Sequence, residues 1–192
     1  VNKDAQRKWT ELGYRYQQRK VLALKKVFDQ KRWLVEEHGT TAPSSHEQLS
    51  DHSVHRSDRD IAHTRWSLAE TDFSSIRPLP APRSSVKVQS GTSVRIKWLD
   101  HPDSIKEGTE ESFIFGGKGE AWEEGDIRVI SCDSPLGKAL VGATKGEERQ
   151  VRYPKFSGEV EVIAIAVPDF NALYTYIDEC MQESRTRAEA PR

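Results

Sequence analysis

Residues 2–38 contain no proline and a single glycine, Gly13. A run that long without a breaker predicts one continuous helix of roughly 50 Å. Trp9, Leu12, Tyr16, Ala23, Val27 and Leu34 fall close to a three-four spacing, which puts them on one face, and the remaining surface is charged. Such a stripe cannot be buried by its own helix, so the chain must supply a partner. It does so directly. His38 to Ser45 breaks the run, with Gly39 able to end a helix, Pro43 forbidding continuation and Ser44 or Ser45 able to cap the next one. A second helix is predicted from about His46 to about Asp72, with Val54, Ile61 and Leu68 seven residues apart, as on one side of a heptad. Asp51, Asp58 and Arg65 occupy the alternate seam positions, so the seam is half polar. The simplest arrangement is an antiparallel helical hairpin over residues 1–74 with its tip near residues 39–45.

The pattern then changes. Residues 75–85 carry Pro78, Pro80 and Pro82, which favour an extended linker. Beyond it the period becomes two: Val86–Val88, Ser93–Trp98 and Glu111–Phe115 read as strands, with a long hairpin loop over Leu99–Gly108. Asp126–Ser131 alternates in the same way, and so do Arg149–Tyr153 and Gly158–Ile165. Between them lies Asp133-Ser134-Pro135-Leu136-Gly137-Lys138-Ala139-Leu140-Val141-Gly142. Ser134 suits an N-cap, Pro135 the first helical position and Gly142 the left-handed residue that ends a helix, which leaves room for only about two turns. Residues 86–168 therefore form a β-domain holding one short helix. Asp169 can cap a last helix bearing Phe170, Leu173, Tyr174, Ile177 and Met181 on one stripe, and the polar tail from Ser184 to Arg192 is expected to fray.

Charge is balanced, with a formal net charge of -1, so nothing in the total draws the chain to nucleic acid. The distribution is uneven, because Lys3, Arg7, Lys8, Arg15, Arg19, Lys20, Lys25 and Lys26 crowd the first helix. Cys132 and Cys180 stand far apart without a CxxC, which argues for a reducing compartment and against a zinc site. No stretch is long and apolar enough to span a bilayer, and the start lacks an apolar signal core. His52 and His55 share a helical face but lack a complete ligand set. Phe115-Gly116-Gly117-Lys118-Gly119-Glu120 lacks the frame of a phosphate loop and reads as a glycine turn. No hydrolase triad is visible. Trp98, Phe113, Phe115, Trp122, Tyr153 and Phe156 are accounted for mostly by core packing.

The order strand, Ser-Pro-capped helix, strand, hairpin resembles the C-terminal domain of the bacterial GreA/GreB transcript-cleavage factors. The residues that carry the resemblance are Ser134-Pro135-Leu136, Lys138, Leu140-Val141-Gly142 and Ser157-Gly158-Glu159-Val160-Glu161. It implies an α+β chain: an N-terminal antiparallel coiled-coil hairpin, then an FKBP-like antiparallel β-domain with a short helix. The helix after residue 168 is an addition to that pattern. The resemblance also implies a partner, bacterial RNA polymerase, gripped at the rim of its secondary channel through Asp133, Ser134, Pro135, Leu136 and Lys138. The hairpin would enter the channel, with the basic face of Arg15, Arg19, Lys20 and Lys26 near the nascent RNA.

The tip departs from the family pattern. Cleavage factors carry an acidic "G-D-L-x-E-N-A-E-Y" turn, whose carboxylates help hold a metal ion and a water for phosphodiester hydrolysis. Here the turn reads Gly39-Thr40-Thr41-Ala42-Pro43, with Thr40 where the Asp stands and Pro43 where the Glu stands. Neither is an anionic ligand. The expectation is a monomeric cytoplasmic regulator of elongation with no catalytic residue, cofactor or metal of its own. The alternatives are a cleavage factor using other acids, and an FKBP-like interaction module or prolyl isomerase.

Overall fold

The computed structural model describes residues 7–39, 46–100 and 108–189. These divide into two compact units, one made of residues 7–14 and 77–189, the other of Arg15–Ile76. The expected tip residues Thr40, Thr41, Ala42 and Pro43 lie outside the described residues, and Gly39 is the last residue of its helix.

The first described element is a strand, β1 (Arg7–Thr10), in place of the helix expected from residue 2. Helix α1 (Glu11–Gly39) starts only after Thr10, whose hydroxyl oxygen accepts from the Gly13 N–H at 3.1 Å and so caps the first turn. Helix α2 (His46–Ser74) follows. In the helical unit Phe28 stacks on Trp66 at 5.3 Å and meets His63 edge-on at 5.2 Å, while Lys31 pairs with Asp58 at 2.9 Å. A later residue of α1 thus meets an earlier one of α2, as an antiparallel hairpin requires. The seam differs from the heptad reading. Val21, Val35 and Ala62 are buried, whereas Val54, Ile61 and Leu68 are 54%, 49% and 67% exposed, and Val27 is exposed too. The contact described between the two helices is made by the rings of Phe28, His63 and Trp66, not by that aliphatic row.

Strand β2 (Ile76–Leu79) lies inside the predicted linker and forms a two-stranded sheet with β1. The larger sheet contains β3 (Ser93–Asp100), β4 (Glu110–Phe115), β5 (Trp122–Glu124), β6 (Ile127–Ile130), β7 (Glu148–Arg152) and β8 (Ser157–Ala166), in the order β5-β6-β4-β3-β8-β7. Its neighbours are antiparallel except β4 and β6, which run parallel, so the sheet expected to be antiparallel carries one parallel pair. Val86–Val88 contributes only an isolated bridge, Lys87 to Thr144. Leu99 and Asp100, expected in the loop, extend β3.

Helix α3 (Pro135–Leu140) covers one face of this sheet, and the core lies beneath it: Ile96, Trp98, Phe113, Phe115, Leu140, Val160 and Val162 are all buried there. The period-two alternation of β3 and β8 explains the choice of residues, because every second side chain faces the helix. Helix α4 (Phe170–Glu189) is capped by Asp169, which accepts from Asn171 N at 3.0 Å and Ala172 N at 3.2 Å. It runs through most of the tail expected to fray. Ile177 is buried, and the Tyr176 hydroxyl accepts from Asp126 N at 3.0 Å, which seats α4 against the β5–β6 turn.

Candidate functional site: a protein-docking rim around the first turn of α3

The local chemistry of residues 131–137 is a closed hydrogen-bond set. Ser134 has extended backbone angles, donates its hydroxyl proton to Ser131 O at 2.7 Å and accepts from Gly137 N at 3.0 Å. Its side chain is therefore committed to capping α3. Gly137 is required by close approach, since a Cβ there would lie 2.1 Å from Ser131 O. Leu136 is buried under the helix, while Pro135 is half-buried at its start and Lys138 is exposed.

Asp133 is held from one side only. Its Oδ1 receives the Ser131 hydroxyl and, at 3.2 Å, the Gly119 N–H. The Ser131 hydrogen bond, then the Gly119 N–H, hold its carboxyl below the ordinary aspartate range. Oδ2 makes no hydrogen bond among the described residues, so an ionised oxygen is left facing outward. Sequence reasoning named Asp133 but missed Ser131 and Gly119, which fix its orientation. The 116–119 turn carried the signal, although glycine there was explained only as a turn.

Beside Ser134 and Pro135 lies a groove of about 370 Å³. Trp122, Pro135, Leu136 and Tyr153 supply apolar lining, and Glu123 and Arg128 supply charge. Tyr153 stacks on Phe156 at 4.4 Å between centroids. Trp98, Phe113 and Phe115 are core residues as expected, but Trp122 and Tyr153 line this groove. Arg128 is occupied by Glu111 at 3.2 Å.

A second cluster sits on the N-terminal strand. Glu120 is fully buried and accepts from Thr10 N at 2.6 Å, from the Thr10 hydroxyl and from Gly117 N at 2.7 Å. Burial pushes its carboxyl above the ordinary glutamate range, against the pull of these donors. A Cβ on Gly117 would lie 1.9 Å from Lys8 O, and one on Gly13 would lie 2.1 Å from Glu120 Oε1. Those glycines let β1 and the first turn of α1 close on the carboxylate.

The family model described as "Transcription elongation factor, GreA/GreB, C-term" matches residues 83–167, the span that holds α3 and the six-stranded sheet. Over these residues the chain resembles the C-terminal domain of the GreA/GreB family. It is similar to the transcription elongation factor GreA of Brucella canis and of Brucella suis, each 29% identical over 123 residues, which cover 63% of this chain and 74% of the relative. Among solved structures it is similar to GreA factor homolog 1 (Gfh1) of Thermus thermophilus at 22% identity and TM-score 0.36, covering 83% of this chain and 98% of that one. Thermus aquaticus Gfh1 gives 21% identity and TM-score 0.35, covering 84% and 99%.

The sequence-named residues fall into two sets. Asp133, Ser134, Pro135, Leu136 and Lys138 come together around the first turn of α3. Arg15, Arg19, Lys20 and Lys26 are exposed along α1, in the other unit. His55 and His63 are the histidines of α2 whose side chains are described, and no group of three or more potential metal ligands gathers among the described residues. Both cysteines are free thiols, and no described helix is long and apolar enough to cross a membrane.

Proposed function

We propose that this GreA/GreB-family factor binds bacterial RNA polymerase at the secondary channel and regulates elongation without supplying an acidic cleavage tip. The sheet domain docks through the α3 rim. Asp133 offers its second carboxylate oxygen, Pro135 offers apolar surface over the buried Leu136, Lys138 offers a cation, and Ser134 shapes the turn that presents them. The hairpin enters the channel, and the exposed row Arg15, Arg19, Lys20 and Lys26 faces the nascent RNA.

The observation that carries the non-cleaving reading is the sequence Gly39-Thr40-Thr41-Ala42-Pro43, which has no carboxylate to hold a hard divalent cation. The deciding experiment is a backtracked elongation complex incubated with the protein and magnesium. The reading requires bound factor and RNA of unchanged length; shortened RNA would establish cleavage by other acids and refute it. Replacing Asp133 by Lys should weaken capture of core polymerase, and equal retention of wild type and variant would remove the α3 rim from the anchor.

A further inference from the structure

The sevenfold row of α2 takes no part in the contact with α1. Val54, Ile61 and Leu68 are all exposed, and it is Asp58, His63 and Trp66 that meet α1. We infer that the row is the seam of a self-association surface, on which α2 of a second copy of this chain packs in parallel. The inference assigns a dimer where the sequence suggested a monomer. Three observations carry it.

The first is the stripe itself. With Val54, Ile61 and Leu68 as the a positions of a heptad, the d positions are Ser57, Thr64 and Thr71, which are exposed as well. Together they make an uncharged line about 26 Å long on the surface of α2. A single exposed aliphatic side chain needs no explanation. Three at strict sevenfold spacing make the narrow seam that another helix covers.

The second is the state of the threonine hydroxyls. Thr64 Oγ1 donates to Asp60 O at 2.9 Å, and Thr71 Oγ1 donates to Ser67 O at 2.8 Å. Both bonds stay within α2, so covering these residues strands neither hydroxyl. Small side chains at d also let a second helix approach closely.

The third is the charge on either flank, which selects the occupant and its direction. The e positions are Asp58, Arg65 and Asp72, and the g positions are Ser53, Asp60 and Ser67. In a parallel pair each g residue faces the e residue five positions on in the other helix. Asp60 then meets the partner's Arg65, and by symmetry the contact occurs twice. The other g positions are serines and oppose nothing. Arg65 makes no ion pair among the described residues, and Asp60 binds Arg59 through Oδ1 alone, at 2.7 Å, with Oδ2 unused. An antiparallel pair would set Asp60 against Asp60, Arg65 against Arg65 and Asp58 against Asp72. Every flanking contact would be between like charges, so the parallel pairing is favoured.

The test is sedimentation equilibrium of the full-length protein, with a reductant present because Cys132 and Cys180 are free thiols. Hydroxyl residues at every d position make the association weak, so the range runs from about 2 to about 200 µM. Wild type should rise toward twice the monomer mass across it. Ile61→Glu should weaken association about tenfold or more, because it sets carboxylates into the seam. Ile61 is exposed in the single chain, so this variant keeps the contact between α1 and α2, and circular dichroism checks that it does. Asp60→Lys should weaken association about fivefold, and adding Arg65→Asp to it should restore the wild-type value. A wild type that stays monomeric throughout overturns the inference. So does a dimer that Ile61→Glu leaves unchanged, since its contact lies elsewhere. A double variant as weak as Asp60→Lys refutes the parallel pairing. A monomeric wild type whose capture of core polymerase is lost in Ile61→Glu gives the row to the polymerase and likewise overturns the inference.

Discussion

Glu120 is the one buried charged side chain among the described residues, and replacing it by alanine tests how the N-terminal strand is held. The substitution removes the acceptor for Thr10 N, the Thr10 hydroxyl and Gly117 N. Two backbone N–H groups are then left in a dry site, each costing about 1–3 kcal/mol. Deleting the carboxylate also relieves its own desolvation, which offsets part of that sum. The expected net loss is about 2–4 kcal/mol. Glu120→Gln keeps one acceptor oxygen and turns its amide toward a donor, so it should lose about 1–2 kcal/mol. Urea unfolding followed by circular dichroism and tryptophan fluorescence measures both. The pH dependence adds a second arm. A carboxyl whose folded pKa lies above its unfolded value of about 4.3 stabilises the fold fully below that unfolded value. That contribution is lost as pH rises through the folded pKa. Burial raises the folded value here, so wild type should gain stability relative to Glu120→Gln as pH falls from neutrality. An alanine variant with an unchanged midpoint, or a wild-type advantage that shrinks on acidification, would refute the reasoning.

Other outcomes follow from the same geometry. Ser134→Ala removes the acceptor for Gly137 N and should cost about 1 kcal/mol, read as a lower unfolding midpoint. Gly137→Ala forces a methyl group to within 2.1 Å of Ser131 O, and because both clashing neighbours are backbone it should cost about 1–3 kcal/mol. Ile177→Ala opens a cavity under α4 and should cost about 2–5 kcal/mol, with faster amide exchange in that helix while α3 stays protected. A variant as stable as wild type at any of these positions would contradict the contact invoked for it.

The β-domain was legible because its signals are local. Ser134, Pro135 and Gly142 each satisfy a backbone requirement that few residues meet, and Gly142 takes the positive φ of 74° that the helix end needs. Asp169 was readable as a cap for the same reason. The start of the chain was not legible. Arg7–Thr10 has the composition of the helix that follows, and what makes it a strand lies far along the chain: β2 pairs with it and Glu120 accepts from Thr10. The hairpin seam misled because sevenfold spacing marks where aliphatic residues recur, not which row faces the partner, and the rings of Phe28, His63 and Trp66 meet there. The groove lay between the two cases. Trp122 and Tyr153 were noted as aromatics, but only the fold brings them beside Pro135.

The bond between Thr10 and Glu120 spans 110 residues of chain. A ribosome releases the strand before its acceptor. At about 5–20 residues per second the interval is roughly 5–20 s. For the last part of that time β1 has β2 to pair with but not the carboxylate that accepts from Thr10. Closure of β1 on its carboxylate therefore has to wait for residue 120 to be made.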